Sequence, residues 1–215
     1  MPDLSPRGLY RLARHALVFE YHLYRSLARW VARRPDHGGP DDVAFTYARA
    51  VTPVMWLWIF ASAAEIPLAH VLLPWEGART ALLLLGIWGL AWMLGLLASL
   101  YVHPHLLGPR ALRVRSGAMH SIAVPWDRVA SVTHQRRDVA ASIRTLQSRQ
   151  LEHGVELQLE VSGQVNVRVR LREPTTVSTA KGEMEIVELS FFADEPRPLV
   201  AHARTLLVEQ ADRQR

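Results

Sequence analysis

"TALLLLGIWGLAWMLGLLASLYVHPHLLGPRALRVRS", residues 80–116, holds two periodicities and the boundary between them. From Thr80 to Val102 no residue is charged, and at about 1.5 Å per residue the run is long enough to cross about 30 Å of hydrocarbon. From Ala111 onward Leu112 and Val114 alternate with Arg113 and Arg115, the two-residue period of a half-buried strand. The sequence therefore predicts a passage from membrane helix to β structure near residue 105.

Working back toward the N-terminus, "VTPVMWLWIFASAAEIPLAHVLLP", residues 51–74, reads as a second span. The connector "WEGAR", 75–79, is short and nearly neutral, whereas Arg7, Arg11, Arg14, Arg25, Arg29, Arg33, Arg34 and Arg49 crowd the first 50 residues. By the positive-inside rule this predicts a two-helix transmembrane hairpin over 51–103 with both termini cytoplasmic. The expected location is the cell inner membrane or plasma membrane, and the apolar run starts too late to be a cleaved signal.

Composition narrows the rest. The 215 residues include no cysteine, so disulfides are excluded and a metal would need His and carboxylate ligands. Lys and Arg number 25 against 20 Asp and Glu, and Lys181 is the single lysine. That surplus suits anionic membrane lipid. Without a dense basic block or a recognition motif, no nucleic-acid partner is expected.

Within 7–34 the arginines, with His22, recur near a 3.6-residue period, while Leu9, Leu12, Ala16, Leu23, Leu27 and Trp30 take another face. This predicts a basic amphipathic helix that either lies in an anionic headgroup layer or packs its apolar side on the cytoplasmic domain. "RRPDHGGPDD", 33–42, reads as the linker that follows, so that 1–50 forms one N-terminal segment.

Downstream, "ALRVRSGAMHSIAVPW" reads as strand, glycine turn, strand, with Ile122 and Val124 on the apolar side. "VELQLEVSGQVNVRVRL", 155–171, reads as a hairpin pairing Val161 with Val165 across Ser-Gly-Gln. That register lines up Val155, Leu157, Leu159, Val161, Val165, Val167, Val169 and Leu171, and sets Glu156 opposite Arg170 and Gln158 opposite Arg168. The insert 138–151 looks helical. "EIVELSFFA" is a further strand, and "DEPRPLVAHARTLLVEQADRQR" an amphipathic helix capped by Asp194, with Leu199, Val200, Ala203, Leu206 and Leu207 facing the core. The predicted class is an α+β membrane protein whose β-rich domain fills 106–215.

Glu65 and His70 are the intramembrane polar residues. No Lys or Arg accompanies Glu65 inside the hairpin, so it reads as a polar clasp between helices or protomers, or else as a proton or ligand site. His103 and His105 of "YVHPH" resemble a metal pair but fall at the cytoplasmic border, where headgroup contacts are expected and metal is not. Ala91, Gly95 and Ser99 form a small-residue ladder that admits either the other span or a second protomer. No cofactor motif, nucleophile elbow or P-loop is present, and no enzymatic activity is expected.

Two spans followed by "LLGPRALRVRSGAMHSIAVPWDRVASV", then strands, then a helix opened by "DEPRPLVAHA", resemble the bacterial pleckstrin-homology-like, membrane-flanked domain proteins. The matching residues are Arg113, Arg115, Gly117, Val124, Pro125, Trp126, Val129 and Val132, and the likeness covers roughly 50–210. It implies a small PH-like β domain with a C-terminal helix, held close to the membrane, and supplies no ligand. The expected function is a non-catalytic, membrane-anchored adaptor whose PH-like domain binds a protein partner or anionic lipid at the inner leaflet, with a homodimer as a further option. The expected contacts are Arg7, Arg11, Arg14, Arg25, Arg29, Arg33, Arg168 and Arg170. The alternative is a small membrane enzyme or transporter subunit using Glu65 and the border histidines.

Overall fold

The computed structural model describes residues 6–140, 146–179 and 182–213, and within these the side chains of 6–9, 11–12, 69–70 and 213 fall outside the description. The expectations for the side chains of Arg7, Leu9, Arg11, Leu12 and His70 lie outside it as well. The fold is α+β, with four helices and two sheets among the described residues. Two compact units divide the chain: Met1–Pro35 with Thr52–Val102, and Asp36–Val51 with His103–Arg215.

The first unit is helical: α1 (Pro6–Val31), α2 (Thr52–Leu72) and α3 (Glu76–Val102). Among the described residues, α3 is the one helix long and apolar enough to cross a membrane; the described apolar run of α2, Thr52–Leu68, is shorter. Phe19, Leu23, Ser26 and Trp30 share one face of α1 by their three- and four-residue spacing, and that face meets α3. The ring of Phe19 lies 6.0 Å from that of Trp92, and Trp30 stacks on Tyr101 at 6.2 Å. A Cβ added at Gly95 would stand 2.8 Å from Leu23 Cγ, so the small-residue ladder admits α1 rather than α2 or a second protomer. The apolar side of α1, expected on lipid or on the β domain, is thus used within the helical unit. Ala16, one turn before Phe19 on the same stripe, is exposed.

The helices α2 and α3 approach through Gly86, where a Cβ would come within 2.8 Å of Ile66 Cγ1, and through a 2.8 Å hydrogen bond between the hydroxyls of Thr52 and Tyr101. Ser62 donates to Met93 Sδ at 3.6 Å.

In the second unit, β1 (Val43–Phe45), β2 (His105–Leu107), β3 (Ala111–Ser116) and β4 (His120–Pro125) form an antiparallel sheet in that order. Leu112 faces Val124 and Val114 faces Ile122, as the alternation predicted. The segment expected as a linker behaves differently. Residues 36–51 belong to this unit: they supply β1, bury Tyr47 and Ala48, and place Asp36 3.0 Å from Arg115 Nη1.

The other sheet runs β5 (Val129–Asp138), β8 (Gln164–Thr179), β9 (Gly182–Phe191), β7 (Gly154–Leu159), β6 (Leu146–Leu151). Here the predicted hairpin is corrected. Val161 and Gln164 close a tight Ser-Gly turn, with Ser162 and Gly163 at φ 52° and 73°, but β7 and β8 then part and β9 lies between them, parallel to β7. Alternation assigns faces, not neighbours, so the apolar face was legible and the partner strand was not. Leu157, Leu159, Val165, Val167 and Val169 are all buried. The 138–151 insert is also corrected: residues 141–145 lie outside the described ones, and 146–151 form β6, an edge strand paired with β7.

The core of this unit joins both sheets through Leu112, Val124, Trp126, Val167 and Phe191, and α4 (Pro196–Arg213) adds Leu199, Val200 and Ala203. Trp126 Nε1 donates to the Gly108 carbonyl at 2.8 Å, satisfying the one polar atom of a buried indole. Asp194 does not cap α4. Its carboxylate accepts the Arg49 amide at 3.1 Å and its own amide donates to the Thr46 carbonyl, tying the 36–51 segment to the end of the sheet.

Candidate functional site

Three groups of polar residues bear on function. The first lies on β7, β9 and β8, on the sheet face opposite the apolar core. Glu156 and Glu188 are direct neighbours across the parallel pair, both essentially without solvent exposure. Arg168 grips Glu188 with Nε at 2.8 Å and Nη2 at 2.6 Å; Arg170 Nε and His153 Nε2 each approach it at 3.4 Å. Glu156 accepts from Ser190 Oγ at 2.5 Å, from Gln158 Nε2 at 2.8 Å and from Arg137. Burial pushes the Glu156 carboxyl up, but the donors Ser190, Arg137 and Gln158 outweigh it and hold the group below the usual carboxylate range. Each predicted cross-strand pair is therefore bridged by β9: Arg170 faces Glu188 beside Glu156, and Arg168 faces Ser190 beside Gln158. Sequence reasoning put opposite charges on this face but missed the intervening acid. A carboxylate surrounded by donors is neither a free base nor a nucleophile, so this face is an ion network that ties three strands together, with the buried Arg137 Nε left without an acceptor.

The second group is His105. It lies on β2, fully buried, its ring stacked on Tyr47 at 4.6 Å and edge-on to Phe191 at 4.9 Å. Nδ1 accepts the Arg115 amide at 3.1 Å and Nε2 donates to the Phe192 carbonyl at 2.9 Å, which fixes the neutral Nε2–H tautomer. Burial lowers its pKa to about 4. With both nitrogens engaged it offers nothing to a metal or a headgroup, and among the described residues no group of three or more His, Cys, Asp or Glu is placed to hold a metal ion. Tyr47, which the sequence did not single out, accepts the Gly117 amide at 2.6 Å, and burial pushes its phenol up.

The third group belongs to the helical unit. Arg14, Arg25 and Arg33 are exposed, Arg33 at φ 54° past the end of α1, and Arg29 Nε donates back to the Arg34 carbonyl at 3.1 Å. Between α2 and α3 a cleft of about 310 Å³ is lined by Ser62, Glu65, Ile66, Leu85, Gly89 and Met93, among others. Glu65 is exposed on it. Gly89 forms an open part of its wall, since a Cβ there would meet nothing within 4 Å. Ser62 turns to Met93 rather than to Glu65.

Comparison of the chain with protein-family models, with curated protein sequences and with solved structures finds no match in any of the three. The geometry alone carries the functional argument.

Proposed function

We propose that the chain is an integral membrane protein, its α2 and α3 forming a hairpin with both termini cytoplasmic, and that it works as a non-catalytic adaptor at the inner leaflet of the cell inner or plasma membrane. The observation that carries the reading is the outward surface of the helical unit. Leu57, Trp58, Phe60, Leu84, Ile87 and Trp88 are each more than half exposed. The most apolar stretch of α3 is only 17% buried. A contiguous apolar surface of this kind is unstable in water and suited to acyl chains.

The distribution of burial along α3 sets the level. Its buried residues are Gly95, Leu97, Ala98, Ser99 and Val102, so no residue from Glu76 to Leu94 is fully buried, over about 27 Å at 1.5 Å per residue, close to a hydrocarbon thickness. In this reading the bilayer covers that stretch, and Trp58 and Trp92 mark its inner edge. The C-terminal half of α1 packs along α3 from Trp92 to Tyr101, where α3 leaves the bilayer in this reading. Arg25, on that half, and Arg33, just past its end, reach for anionic headgroups, each worth about 1 kcal/mol near a charged surface. Arg168 and Arg170 contribute less, because Glu188 holds them. The second unit, two sheets closed by a C-terminal helix, is compatible with a PH-like domain confined near the membrane, where tethering raises the effective concentration of any partner.

The test is made on the full chain in membranes. The protein should resist alkaline extraction, and a thiol label should reach Gly77→Cys from outside intact cells. The Arg25→Gln, Arg33→Gln double variant should co-purify with less anionic lipid. Labelling of Gly77→Cys only after lysis would overturn the topology, and an unchanged lipid complement would remove the headgroup role.

A further inference from the structure

Among the described residues of α2, and of α3 beyond its first turn, Glu65 is the one carboxylate, and it is not used by the adaptor reading. No hydrogen bond or ion pair to it is found among the described residues, although it stands beside a concave site rather than on a convex surface. The nearest hydroxyl, on Ser62, is directed at Met93. An ionised carboxylate at hydrocarbon depth without a partner is costly; protonation relieves that cost, and so does a cation that can itself enter from lipid, which is the partner a site beside the acid can select.

The cleft specifies such a partner. Its remaining walls are Ile66, Leu82, Leu85, Leu90 and Met93, so alkyl or aryl groups fit alongside the acid. Its volume of about 310 Å³ is at the lower end of the range for small-molecule sites, too small for a helix and enough for an ammonium group with a short apolar body. One side is closed, since Gly86 lies against Ile66, and the other is open at Gly89, which leaves a lateral entrance for a molecule already dissolved in the bilayer. We propose that the α2–α3 cleft binds a lipophilic ammonium ion, with Glu65 as the counter-ion and Gly89 as the opening that admits the apolar body. The inference rests on the membrane embedding proposed above.

Full-length protein in lipid nanodiscs is treated with a hydrophobic carbodiimide, and labelling of Glu65 is followed by mass spectrometry in the presence of octylammonium, octanol or octanoate. The expected result is labelling of Glu65 slowed about tenfold by octylammonium at about ten times its dissociation constant, and little changed by the neutral and anionic octyl probes at equal membrane loading. Gly89→Leu, at a cleft-lining position where an added Cβ would meet nothing within 4 Å, should still label but lose the protection. Labelling that octylammonium does not slow, or that octanol slows equally, would overturn the proposal while leaving the embedding intact. Labelling that rises as protein is diluted into lipid would place a second copy in the cleft and overturn it too. A water-soluble carbodiimide that modifies Glu65 as fast as the hydrophobic one would overturn the embedding and the site together.

Discussion

Because His105 gives both ring nitrogens to the backbone in its neutral form, folding competes with its protonation. Its folded pKa of about 4 lies below the ordinary 6.5, so between these values the unfolded chain binds the proton that the folded unit refuses. Stability of the second unit is therefore full above about pH 6.5 and falls as pH drops toward 4, by at most about 3 kcal/mol. Urea unfolding followed across that window should show the slope, and His105→Gln, less stable throughout, should lose it; a slope retained in the variant would assign the effect elsewhere. Glu156 acts lower. Its stabilisation is present above the ordinary carboxyl range and is lost only as pH falls through its depressed folded value. Glu156→Ala should destabilise the unit by about 3–5 kcal/mol at neutral pH, since it strands Arg137, Ser190 and Gln158 in a buried layer. A loss below 1 kcal/mol, measured by the same unfolding, would show that the layer is wet.

Among the helices, the two glycines on α3 separate packing from vacancy. A Cβ at Gly95 would lie 2.8 Å from Leu23 Cγ and 3.3 Å from the Leu23 carbonyl oxygen, while one at Gly89 would meet nothing. Gly95→Val should then loosen α1 from α3 at a cost of about 1–3 kcal/mol, and Gly89→Val should not. Cysteines replacing Phe19 and Trp92 report the contact: cross-linking should fall in the Gly95 variant alone, and equal cross-linking in both would dismiss the α1–α3 seam. The sequence made the ladder legible but not its occupant, because Leu23 differs in no local way from the other apolar residues of α1. The same division holds in the sheets. Leu112, Val114, Ile122 and Val124 declared a local hairpin that the structure contains, since their partner follows within one turn. The apolar faces of β7, β8 and α4 were equally legible. What was not legible needed long-range information: β9 entering between β7 and β8, Asp194 turning back to Arg49, and His105 drawn off the apparent membrane border into a core. The polar layer was half visible, as alternating Glu, Gln and Arg, and its burial was not, because only the insertion of Glu188 closes it.

At the scale of the whole chain, the helical hairpin interrupts the β unit rather than preceding it. Residues 36–51 enter the unit, the chain leaves for α2 and α3, and it returns at His103. A fragment starting at residue 106 would omit β1, Tyr47 and His105, and would break β2, whose register runs Phe45 to His105 and Val43 to Leu107. It would uncover the edge of β3 and remove one wall of the core, so we expect it to aggregate or to lose cooperative unfolding. The two crossings are close to each other, because Thr52 and Tyr101, immediately inside them, are hydrogen-bonded at 2.8 Å. A short Gly-Ser linker should therefore join 36–51 directly to 103–215 and give a soluble, β-rich, cooperatively melting domain without the helices. Within that joined domain, Tyr47→Ala should cost about 3–5 kcal/mol, the range for emptying a buried aromatic site. Circular dichroism and thermal melting of the two fragments decide the matter. If the fragment from 106 folds as well as the joined one, residues 36–51 are an accessory and the hairpin is an appendage. If only the joined form folds, the helical hairpin is an insertion into the β unit, and the two stretches 36–51 and 103–215 fold as one.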